Sequence, residues 1–140
     1  MPNRGWVYSP LTGGLTIPAA VRERTEQRIR RFAAAHHAGK FSRLNIRFRG
    51  ALCYVDAYVE PEKPSAALLR ALGGTREEYL KRLRTTPTHL CRLRYFGRDD
   101  AWSMAFFTYS HERYQPCSFG NGRAMGTPEQ AFAISAVYLG

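Results

Sequence analysis

From Leu44 to Val59 apolar and polar residues alternate almost without a break, and the pattern folds back on itself at Gly50-Ala51. A period of two marks half-buried strands. A two-residue turn with Gly first fits type II′. The register this turn sets opposes Arg49 to Leu52, Phe48 to Cys53, Arg47 to Tyr54, Ile46 to Val55, Asn45 to Asp56, Leu44 to Ala57 and Arg43 to Tyr58. Opposed residues share a face. Leu44, Ile46, Phe48, Cys53, Val55 and Ala57 therefore form a core face. Arg43, Arg47, Arg49, Tyr54, Asp56 and Tyr58 form the other.

The segment Thr88–Tyr114 repeats this logic. With Gly97–Asp100 as its loop, Tyr95 opposes Trp102, Leu93 opposes Met104 and Cys91 opposes Phe106 on a core face. Arg94 opposes Ser103, Arg92 opposes Ala105 and Leu90 opposes Phe107 on the other, with Tyr109 beyond. The two hairpins independently predict one apolar face and one face of Arg and aromatic residues.

Helical spacing flanks and separates them. Val21, Thr25, Ile29, Phe32, Ala33 and His36 recur as one stripe, with Arg22, Arg24, Arg28, Arg30 and Arg31 mainly off it. Thr16 is the candidate cap, Pro18 suits a first turn, Gly39 suits the C-terminus, and His36 is expected half-buried. After Pro61 and Pro64, two short helices are predicted at 66–72 and 76–84, split by Gly73-Gly74. The second opens on the capping box Thr75-x-x-Glu78. Leu68, Leu69, Leu72, Tyr79, Leu80 and Leu83 of this insertion need burial. Thr127-Pro128-Glu129-Gln130 opens a last helix to Leu139 that turns Phe132, Ala136 and Leu139 inward. Residues 1–16 read as an irregular arm anchored by Trp6 and Tyr8. The expected architecture is a single α+β domain over 1–140. It has a four-stranded antiparallel sheet from two hairpins, N- and C-terminal helices packed on one face, and a short helical insertion at 61–87.

Charge changes the picture. The net charge of +10 favours a polyanionic partner, nucleic acid ahead of an anionic membrane surface. Residues 1–49 hold ten Lys and Arg against two acids, and Arg outnumbers Lys eighteen to three. Arg binds phosphate through a planar fork and stacks on bases, although a GC-rich genome also encodes Arg and Ala cheaply. No apolar run approaches the roughly 20 residues of a membrane span, and no signal-peptide pattern opens the chain. The expected setting is the cytoplasm, without membrane contact. The three cysteines, Cys53, Cys91 and Cys117, form no metal-binding pair, and adjacent His36 and His37 diverge on a helix. Neither a metal nor a cofactor is expected.

The order of a helix, a hairpin, the strand Arg92-Leu93-Arg94-Tyr95 and a strand at Trp102 resembles a family of small bacterial domains of unknown function, over roughly residues 17–115. The chain departs from that pattern in its longer 61–87 insertion and in Tyr114, near where the family usually has a second Trp. The resemblance implies the fold and carries no activity.

The candidate site is the Arg/aromatic sheet face: Arg43, Arg47, Arg49, Tyr54, Tyr58, Arg92, Arg94, Phe107 and Tyr109. Guanidinium forks there would hold phosphates while rings stack on unpaired bases, favouring RNA or single-stranded DNA. The competing expectation is that these arginines pair across strands with tyrosines on a solvated face, or that the inserted helices cover that face. A second class is a small metal-independent ribonuclease, resting on His89, His111 and Glu112 with Arg113 and Tyr114. A third is a structural subunit docking onto a protein or ribonucleoprotein assembly. The segment Ser118–Gly126 lies before a capped helix but matches neither the dinucleotide fingerprint nor the P-loop.

Overall fold

A computed structural model of the chain describes residues 13–59 and 66–139. Trp6 and Tyr8, with Pro61 and Pro64, lie outside the described residues. The fold is α+β. Helix α1 (Ala19–His36) leads to strands β1 (Arg43–Arg49) and β2 (Leu52–Tyr58), and helices α2 (Ala66–Leu72) and α3 (Arg76–Thr85) follow. Strands β3 (Thr88–Tyr95), β4 (Trp102–Thr108) and β5 (Arg113–Cys117) then precede α4 (Pro128–Ser135) and a 3-10 turn, Ala136–Leu139.

The strands form one antiparallel sheet in the order β1-β2-β3-β4-β5, so the two hairpins lie side by side through β2 and β3. Both hairpins adopt the registers that alternation predicts, from Arg43↔Tyr58 to Arg49↔Leu52 and from Cys91↔Phe106 to Tyr95↔Trp102. Gly50 sits at φ 58 and Ala51 keeps a negative φ, as a type II′ turn requires. The sheet has five strands where four were expected. Arg113–Cys117 pairs with β4, including Ala105↔Pro116. Pro116 removes one ladder donor, which reads as a loop signal in sequence but is tolerated on an edge strand.

One face of the sheet, α1 and α4 share a single core. Ile29 and Ala33 of α1, Val55, Leu93 and Trp102 of the sheet, and Phe132 of α4 are all fully buried. Trp102 also satisfies its indole N–H on the Asp99 carbonyl at 2.8 Å. The helix ends differ in detail from expectation. Pro18, not Thr16, occupies the N-cap of α1 and offers no side-chain cap. His36 is exposed, whereas half-buried His37 turns toward the core and places its ring 5.3 Å from that of Phe132. Both capping boxes, at Thr75 and Thr127, form. Among the described residues the insertion helices contribute no buried side chain, and Leu68 is 40% exposed. No helix among the described residues is long and apolar enough to cross a membrane.

Polar ties close the helix onto the sheet. Arg28 reaches Glu129 of α4 through both Nε and Nη2 at 2.8 Å, and meets Asp100 at 2.8 Å. Arg24 pairs with Asp99 at 2.8 Å, and that hydrogen bond holds the Asp99 carboxyl below its usual range. At the other end, the segment before α1 crosses the hairpin turns, with the Leu15 and Ile17 amides donating to the Tyr95 and Gly50 carbonyls at 2.9 Å. Gly14 makes that crossing possible. Its φ is +94, and a Cβ there would stand 2.6 Å from the Tyr95 oxygen. Gly14→Ala is expected to destabilise the fold by about 1–3 kcal/mol through left-handed strain and the displaced strap. Urea unfolding checks this, and an unchanged midpoint would refute the strap's contribution.

Candidate nucleic-acid interface

The face opposite the core carries all the candidate residues that lie within strands. Arg43, Arg47 and Arg49 line β1, Tyr54 and Tyr58 line β2, Arg92 and Arg94 line β3, and Phe107 lies on β4. Tyr109 sits just beyond β4, with its ring 4.9 Å from Phe107. Three arginines are laid over tyrosine rings: Arg43 over Tyr58 at 3.7 Å, Arg47 over Tyr54 at 4.9 Å and Arg92 over Tyr114 at 5.3 Å. The cross-strand pairing weighed as the competing expectation therefore does occur. It leaves each guanidinium with one face on a ring, and Arg47 also turns an N–H to the Asp56 carboxylate. Arg94 is drawn away from the cluster, donating to the Gly13 carbonyl at 2.8 Å. Burial, then the charge of Arg92, lowers its pKa. Arg49 is exposed near the hairpin turn.

At the centre of the face a β-bulge changes the predicted layout. Between β2 and β3 the register runs Val55↔Cys91 and then Asp56↔His89, passing over Leu90. Leu90 and Cys91 are both fully buried, so Leu90 joins the core rather than opposing Phe107 on the outer face. His89 takes the outer position. A bulge re-aims side chains in this way by adding one residue to one strand. The His89 Nδ1 lies 2.9 Å from Asp56 Oδ1, while Arg47 donates to Asp56 Oδ2 at 3.1 Å. Asp56 is only 2% exposed, a burial that its two partners compensate. The His89 ring packs 4.7 Å from Phe107, and its backbone N–H donates to the Tyr109 hydroxyl at 2.9 Å.

Tyr114 completes the cluster from the unexpected fifth strand. Its ring lies 5.6 Å from Tyr54, 5.2 Å from Phe107 and 6.3 Å from His89. Its hydroxyl is buried with no hydrogen-bond partner among the described residues. Burial, reinforced by the charge of Asp56, pushes its pKa well up, so the hydroxyl keeps its proton. Sequence reading placed Asp56 on the correct face but gave it no part, and gave Tyr114 a part only in the ribonuclease alternative. The signal for Asp56 was available, because an acid in a row of arginines and tyrosines is a natural counter-ion. Nothing in local pattern signals the bulge.

The remaining candidates separate from this cluster. His111 lies in the exposed β4–β5 turn, its Nδ1 3.1 Å from Ser110 Oγ, and Glu112 holds the left-handed turn position at φ 51. Cys53 and Cys91 are buried in the core, and burial pushes the Cys91 thiol up to about 12, which removes it as a nucleophile. No group of three His, Cys, Asp or Glu is arranged to hold a metal ion among the described residues. In the segment before α4, Phe119 is buried and bridges to Arg123.

No family model, curated protein or solved structure matches the chain. The site's reading rests on its own geometry. Removing the unpartnered hydroxyl with Tyr114→Phe is expected to change the unfolding free energy by under about 0.5 kcal/mol, or to stabilise. Asp56→Ala, which strips His89 and Arg47 of their shared acceptor, is expected to cost about 1–3 kcal/mol. Paired urea titrations check both, and a large loss in Tyr114→Phe would show that its hydroxyl has a structural partner.

Proposed function

We propose that the outer sheet face binds single-stranded nucleic acid, with RNA or single-stranded DNA as ligand and no cofactor required. The observation that carries this reading is the set of three guanidiniums seated on tyrosine rings across four strands of one face. A ring-backed guanidinium is held flat and pre-oriented, so less side-chain entropy is lost when its edge meets a phosphate. Its free plane, with Phe107 and Tyr109 nearby, offers stacking to unpaired bases at about 1–3 kcal/mol per base. The distribution of charge supports the sheet over the helix, because Arg24, Arg28 and Arg30 of α1 are already paired with Asp99, Glu129 and Glu26. Arg43 and Arg92 have no carboxylate partner among the described residues.

Fluorescence anisotropy with short labelled oligonucleotides at two salt concentrations tests this. Binding is expected at low salt, with Arg43→Ala/Arg92→Ala weakening it about tenfold or more and flattening the log–log salt slope by about 0.7 per lost phosphate contact. Absence of binding at low salt, or an affinity that this double variant leaves unchanged, overturns the proposal.

A further inference from the structure

The face that would carry the strand also holds a base with its orientation fixed. Asp56 engages His89 through Nδ1, and the opposite nitrogen, Nε2, has no hydrogen-bond partner among the described residues. The ring packs against Phe107 and Tyr114, the backbone N–H donates to the Tyr109 hydroxyl, and the side chain remains 32% exposed. A buried carboxylate that sets the tautomer and aims the imidazole is the arrangement general-base catalysis requires. Arg47 shares the same carboxylate, and Arg92 stacks on the adjacent Tyr114, so cationic edges flank the imidazole.

Resting on the reading of this face as a single-strand binding surface, we propose that His89 is the general base of an RNA-cleaving centre, with Asp56 as its positioning residue. The His89 Nε2 takes the proton of a ribose 2′-hydroxyl as the 2′-oxygen bonds to the adjacent phosphorus. The P–O5′ bond breaks, and the 5′-oxygen leaves with a proton from water. The imidazolium returns its proton to solvent. The products are a 2′,3′-cyclic phosphate and a 5′-hydroxyl, and no oxidant or reductant enters the balance. Arg47 and Arg92 would carry the charge that develops on the phosphoryl oxygens. DNA, lacking the 2′-hydroxyl, would bind without being cut.

The test incubates the full chain with end-labelled single-stranded RNA and with its DNA counterpart, while anisotropy measures binding of each. RNA cut to cyclic-phosphate ends, with DNA intact, is the expected result. His89→Gln and His89→Asn should each lower the rate about 100-fold or more at unchanged affinity and with the thermal transition retained. Asp56→Asn should lower kcat and displace the pH profile with little change in KM, which a merely structural carboxylate would not do. Bound RNA left intact by the wild-type chain over hours overturns the catalytic proposal and leaves the binding proposal standing. Equal cleavage by wild-type and the folded His89 variants overturns it as well, and loss of all binding overturns both.

Discussion

A carboxylate in the middle of a sheet must be neutralised or it costs several kcal/mol in desolvation. Asp56 is that carboxylate, and much of the outer face is arranged around it. Arg47 reaches it diagonally from β1 and His89 from β3, one to each oxygen. In an unbroken β3 the alternation would put Leu90 on the outer face and turn His89 inward. The extra residue at Leu90 resolves both conflicts, sending an aliphatic side chain to the core and an imidazole to the acid. Phe107 then packs against that imidazole and Tyr109 caps its backbone N–H, so a single local irregularity organises residues from four strands.

Much of the fold was legible because its determinants are local. Alternation and a glycine-first turn specify the first hairpin, since a slip of one residue would turn every core side chain outward. Ser/Thr capping boxes specify helix starts by satisfying amides within four residues. The fifth strand was not legible, because Arg113–Cys117 is short, contains Pro116 and draws its pairing from β4. Leu90 was misplaced for a related reason. Strict alternation carries no mark of a bulge, whose cause lies in the Asp56 charge on a neighbouring strand. The Arg and Tyr positions of the site could be read from periodicity. Their convergence on Asp56, His89 and Tyr114 is tertiary.

The net charge of +10 also divides once its partners are visible. The basic helix, the loudest charge cluster in the sequence, spends much of its charge on Asp99, Asp100 and Glu129. Three of the sheet arginines, Arg43, Arg47 and Arg92, are instead backed by rings. Cationic residues of identical type thus take different partners: Arg24 and Arg28 of α1 reach carboxylates of other elements, and Arg43, Arg47 and Arg92 of the sheet lie over tyrosine rings.

The bond from Arg28 to Glu129 joins residues 101 positions apart. During synthesis α1 emerges well before its partner exists, and Phe132, which helps bury its apolar stripe, comes later still. Until then the apolar stripe of α1 lacks part of its cover and Arg28 lacks Glu129. Both contacts come from α4, so the docking of that one helix completes the core and the ion pair together.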